Sequence, residues 1–160
     1  MTPAKPHSPP SPEPPSPARL VVTADLSRLP ELREFVVGRA AAAGLPPGRL
    51  PGLELVLEEA VVNVISHGYD GRPGTLELAC RVENGWFVLE LADEGAPFDP
   101  TGAADPDTSL PLEERSAGGL GLLLIRRSCD AVTWRREGGR NILTCRFGRE
   151  RDALSSGRRP

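Results

Sequence analysis

Residues 76–83 alternate with a period of two: Leu76, Leu78, Cys80 and Val82 fall on one side, and Glu77, Ala79, Arg81 and Glu83 on the other. That period belongs to a strand covered on one face only. Asn84-Gly85 follows, a pair suited to a two-residue hairpin turn in which both central residues take positive φ. The return strand, 86–93, sets Phe87, Leu89 and Leu91 on one side and ends at Asp93. A hairpin with one apolar face has to be roofed by another layer, which already narrows the fold.

The remaining segments supply that layer and the rest of the sheet. Residues 19–24 read as a short strand. Ser27 offers a helix cap, Pro30 is tolerated in a first turn, and residues 31–43 carry a helical apolar pattern that stops at Gly44. A Pro46-Pro47-Gly48 break precedes a second helix, expected over 52–67, and a third is expected over 119–129. A second hairpin turns at Gly138-Gly139, with Val132 and Trp134 facing one way and Leu143, Cys145 and Phe147 likewise sharing a face. These elements predict an α+β fold, a two-layer α/β sandwich with a mixed, mostly antiparallel sheet and helices on one face.

The folded part is expected over 19–148. Residues 1–18 hold eight of the prolines, from Pro3 to Pro17, and offer almost no apolar surface, so they read as a disordered or polyproline-like leader. Residues 149–160 read as a short basic tail. No apolar run reaches bilayer length and the start has no signal-peptide pattern, so a cytoplasmic location is expected, with no membrane contact. A net charge of -3 leaves no footprint for direct nucleic-acid binding. Three widely spaced cysteines, Cys80, Cys129 and Cys145, read as buried thiols rather than a disulfide or zinc framework.

The second helix carries the chemistry. Glu59, Asn63 and His67 recur every four residues on an otherwise apolar helix, so that Asn63 sits about 40° and His67 about 80° round the axis from Glu59. Asn and His carry short, directional polar groups, better suited to a ligand or ion than the long side chains of an ordinary solvated face. After the first hairpin comes Asp93-Glu94-Gly95-Ala96-Pro97-Phe98-Asp99-Pro100, then an aperiodic stretch rich in Pro and acidic residues, then Gly118-Gly119-Leu120-Gly121-Leu122 at the start of the third helix.

In that order these elements resemble the asparagine box and the two glycine boxes of the GHKL, or Bergerat-fold, ATPases. Within that group, Glu59-Ala60-x-x-Asn63-x-x-x-His67-Gly68-Tyr69 is most similar to the anti-sigma-factor serine kinases. The resemblance implies that Asn63 holds Mg²⁺, that Glu59 is the base for an attacking hydroxyl, and that Asp93 accepts a hydrogen bond from the adenine amino group. Gly95 and Pro97 would then lie along the base, and Gly119, Leu120, Gly121 and Leu122 would seat the phosphates at a helix N-terminus. It also implies that the stretch before the third helix is the ATP lid, with Arg115 reaching the γ-phosphate. His67 has two readings, a contact with nucleotide or lid and a helix cap or core filler. The chain departs from the wider group where a Gly-Thr pair is usual and Gly138-Gly139-Arg140-Asn141 stands instead; Asn141 and Thr144 are both candidates to substitute.

The function implied is a Mg-ATP-dependent protein serine kinase, phosphorylating a serine of an antagonist protein, sequestering a sigma factor, and pairing as a homodimer. The alternative is a non-catalytic module in which ATP only orders the lid for a partner.

Overall fold

A computed structural model of the chain describes residues 16–101 and 119–149. Residues up to 15 of the expected Pro-rich leader, the stretch 102–118 with Arg115 that is expected to be a lid, and the tail from residue 150 lie outside the described residues.

Five strands form one sheet in the order β1-β2-β3-β5-β4, with β1 at Ala18–Thr23, β2 at Thr75–Glu83, β3 at Trp86–Asp93, β4 at Ala131–Glu137 and β5 at Arg140–Gly148. The sheet expected to be mostly antiparallel is antiparallel at every neighbouring pair. Both hairpins turn as their sequences require, since Asn84 and Gly85 have φ of 49° and 84°, and Gly138 and Gly139 have 56° and 82°. Three helices, α1 (Leu29–Ala42), α2 (Leu50–Asn63) and α3 (Gly119–Ser128), bury their apolar sides against one face. The core there joins Leu32 and Val36 of α1, Leu53, Val56, Leu57 and Val61 of α2, and Ile125 of α3 to Leu76, Leu78, Phe87 and Phe147 of the sheet. All three cysteines are buried and unpaired, and burial pushes the Cys80 thiol up to about 12.

Two expectations need correction. Ser27 is not the cap of the first helix: the Asp25 carboxylate accepts from the Ser27 backbone N–H at 2.7 Å, starting a 3₁₀ turn over Leu26–Arg28 that leads into α1. An Asx side chain reaches a backbone donor two residues on. The second helix does not run regularly to His67 either. It ends at Asn63 and continues as a π-helical turn over Val64–Gly68, closed by Tyr69 N–H donating to Val64 C=O. A π turn uses one more residue per hydrogen bond than an α turn, so residues beyond Asn63 fall out of phase with the wheel.

Candidate functional site

The helix and sheet layers part at the end of β3, where Asp93 meets the last turn of α2. Ala60 and Asn63 from that helix, Val64 from the π turn that follows it, Leu91 and Asp93 from β3, and Asn141 and Leu143 from β5 line an open cleft. Phe98, Pro100, Ile125 and Trp134 complete its wall. The lining is largely apolar with a few convergent polar groups, as small-molecule sites are.

Asp93 is 4% exposed, and its Oδ1 accepts from the Gly95 backbone N–H at 2.8 Å and from Asn141 Nδ2 at 2.9 Å. The turn that follows is pressed against the π-helical turn: Ala96 N–H donates to Gly68 C=O at 2.8 Å, and a Cβ on Gly95 would lie 2.6 Å from Gly68 backbone. Glycine is therefore required at 95 by close approach of two backbones. Tyr69 braces the same turn from below, its hydroxyl accepting from Glu94 N–H at 2.9 Å and donating to Thr75 C=O at 2.6 Å.

Asn63, also lining the cleft, is 8% exposed, and its Nδ2 has no partner among the described residues. A buried polar atom without a partner needs a reason. One helical turn earlier, the Glu59 carboxylate lies over Gly121 so closely that a Cβ there would collide with it. Gly119–Ser128 begins at that point, and the first backbone N–H groups of a helix lack intrahelical partners. A carboxylate, an amide and a helix N-terminus thus converge from α2 and α3.

The other residues named from sequence sit as follows. His67 is exposed and stacks on Phe98, ring centroids 5.3 Å apart, so it reaches the cleft only through that wall residue. Pro97 is exposed and does not line the cleft. Leu120 is 45% exposed at the start of α3, whereas Leu122 packs in the core. Strand alternation separates Asn141 from Thr144: Asn141 shares the cleft side with Leu143, while Thr144 points to the opposite face. Sequence reading missed Arg136, whose Nη1 donates to Asn141 Oδ1 at 2.8 Å and to Gly95 C=O at 3.2 Å. The signal was available, because a two-residue turn at Gly138-Gly139 sets Arg136 opposite Asn141. Trp134, two residues earlier on the same side, also lines the cleft.

A five-stranded antiparallel sheet roofed by three helices, with its cleft between α2 and the end of β3, is the architecture of an α+β ATPase domain. A family profile described as the histidine kinase-like ATPase domain matches residues 22–147, and the chain belongs to that family. It is 37% identical over 93 residues to the serine/threonine-protein kinase BtrW of Bordetella bronchiseptica, a match covering 58% of this chain and 66% of that one. It is 28% identical over 120 residues to the serine-protein kinase RsbW of Halalkalibacterium halodurans, covering 72% and 74%. An anti-sigma F factor of the same organism is 36% identical over 83 residues, covering 50% and 56%. Among solved structures, the RsbU and RsbW domains of Rv1364c from Mycobacterium tuberculosis share the fold with a TM-score of 0.59 and 15% identity, over 84% of this chain and 32% of that one. Among the described residues, no helix is long and apolar enough to cross a membrane.

Proposed function

We propose that this protein is a Mg-ATP-dependent protein serine kinase of the anti-sigma type, which transfers the γ-phosphoryl group to a serine of an antagonist protein. The observation that carries the reading is that Asp93 and Asn63 line one cleft, while Glu59, one helical turn before Asn63, lies against Gly121 in the first turn of α3.

The residues fit the ligand. With Oδ1 of Asp93 already taken by two donors, Oδ2 is left to accept from an exocyclic amine, which adenine has and guanine lacks at the same edge. Asn63 carries a carbonyl oxygen and an NH₂ on one amide, and a cation bound to phosphate is a ligand that satisfies both. Among the described residues no three His, Cys, Asp or Glu side chains are grouped to hold a metal, so Mg²⁺ would be held through the nucleotide with Asn63 as its protein ligand. When bound, Mg-ATP supplies the phosphoryl group and the metal offsets its charge.

The chain's own residues do the rest. The α3 N-terminus from Gly119 to Leu122 favours an anion through its free N–H groups and dipole. Glu59, held at that anion site, accepts the proton of the incoming serine hydroxyl at its carboxylate. Arg115, outside the described residues, would neutralise charge from the lid.

By likeness to RsbW and to the anti-sigma F factor, the partners would be an antagonist protein and a sigma factor, and the protein would work in the cytoplasm, with a homodimer as the expected form. Purified protein, labelled ATP and the antagonist provide the test. Label should move to a serine of the antagonist in wild type and not in Glu59→Ala. Tight ATP binding with no transfer to any antagonist would instead favour the module in which nucleotide only orders a partner surface.

A further inference from the structure

We propose that Arg136 is a positioning residue for base recognition, acting through Asn141 to set the Asp93 carboxylate and thereby the preference for adenine over guanine. The inference rests on the ATP reading above. Arg136, Asn141 and Asp93 stand opposite one another on three adjacent strands, Arg136 paired with Asn141 across β4 and β5, and Asn141 with Asp93 across β5 and β3.

The hydrogen-bond chemistry along this row has one solution. A guanidinium can only donate, so Asn141 must turn its carbonyl oxygen toward Arg136, and Oδ1 accepts from Nη1 at 2.8 Å. Its NH₂ is then forced the other way. There it meets two acceptors, Asp93 Oδ1 at 2.9 Å and Ala96 C=O at 2.9 Å, which use both of its protons. Asn141 is 4% exposed, so a flipped amide would set oxygen against two oxygens with no water to relieve it. Arg136 also donates to Gly95 C=O at 3.2 Å, tying the turn after Asp93 to the hairpin.

The functional consequence concerns which groups face the base. With the amide locked, Asp93 Oδ1 is consumed and the edge of the cleft presents a carboxylate acceptor. An adenine amino group satisfies it, and a guanine carbonyl oxygen opposes it. Without Arg136 nothing fixes the Asn141 amide, so its NH₂ no longer pins Asp93 Oδ1, the carboxylate can turn, and discrimination falls along with affinity.

Calorimetry on the full chain with Mg-ATP, Mg-GTP and Mg-tripolyphosphate, for wild type, Arg136→Ala and Arg136→Lys, tests this. Arg136→Ala should weaken Mg-ATP about tenfold and lower the ATP-to-GTP ratio by a similar factor. Tripolyphosphate has no base, and its affinity should not change. Arg136→Lys should recover part of the ratio, since an ammonium can still donate to Asn141; it also serves as the test variant if Arg136→Ala does not fold. Wild-type protein that binds ATP while both variants match it in affinity and selectivity overturns the inference alone, as does an equal loss of ATP and tripolyphosphate. Wild-type protein that binds no ATP sinks the underlying reading as well.

Discussion

The two ends of the cleft are built differently. At the base end the polar groups form a connected network: Asp93 through its Oδ1, Gly95, Ala96, Asn141 and Arg136 are tied by hydrogen bonds of 2.8–3.2 Å and braced by Gly68 and Tyr69. At the other end Asn63 keeps a buried, unpartnered nitrogen, and Glu59 rests on a glycine at a helix start. A pre-formed hydrogen-bonded wall discriminates among ligands because mismatched groups cannot reorganise cheaply. An end with unmet polar demand is completed by what it binds. On the proposed reading, selection and chemistry are therefore separable.

Mutations aimed at one end should spare the other. The largest effect is expected at the phosphate end, where Glu59→Ala should lower the transfer rate by roughly 10² to 10⁴ while Mg-ATP affinity, measured by calorimetry, stays near wild type. Equal losses in rate and affinity would show that the two ends are not separate. At the base end, Asp93→Asn should weaken ATP by about ten- to a hundredfold, with tripolyphosphate binding retained.

The two glycines sharpen the contrast. Gly95→Ala sets a methyl against Gly68 backbone, which cannot move without shifting the π-helical turn, so a loss of about 1–3 kcal/mol in stability is expected from urea melts. At Gly121 the methyl meets only the tip of Glu59, a flexible side chain. Gly121→Ala should therefore leave the melting curve nearly unchanged while moving the carboxylate and slowing transfer. The reverse pattern would refute the assignment of rigidity to the base end.

The smallest effect is expected on the opposite, open face of the sheet. There Glu77 accepts from Arg140 and from Arg19, each at 2.5 Å, and those bonds, that from Arg140 foremost, hold its carboxyl below the ordinary 4.5. A lowered folded-state pKa gives stability that is present above about pH 4.5 and lost as pH falls through the folded value. Glu77→Gln should cost less than about 1 kcal/mol at pH 7, and its melting temperature should converge with wild type in acid.

Local rules carried much of the architecture. Alternation and paired turn residues specified both hairpins, and with the second hairpin the Arg136–Asn141 pairing, because a two-residue turn leaves no freedom of register. The same alternation that groups Leu143, Cys145 and Phe147 also assigns Asn141, not Thr144, to the cleft. Other features were invisible to periodicity. A π-helical turn after Asn63 breaks the 3.6-residue wheel, and so His67, in phase with Glu59 on paper, stands out in solvent against Phe98. Asp25 rather than Ser27 opens the first helix because a 3₁₀ turn intervenes.

By itself the sequence determined which segments are strands and helices, how each hairpin closes, and which short polar residues ride on an apolar helix, since all of these depend on neighbours within a few positions. Only the tertiary structure decided that Asn141 meets Asp93, 48 residues away, that Gly95 abuts Gly68, and that Glu59 lies on Gly121. Those contacts join segments with no local relation to one another. They exist because one apolar sheet face and three apolar helix faces have to share a single core, and the way they pack sets the distances across the cleft.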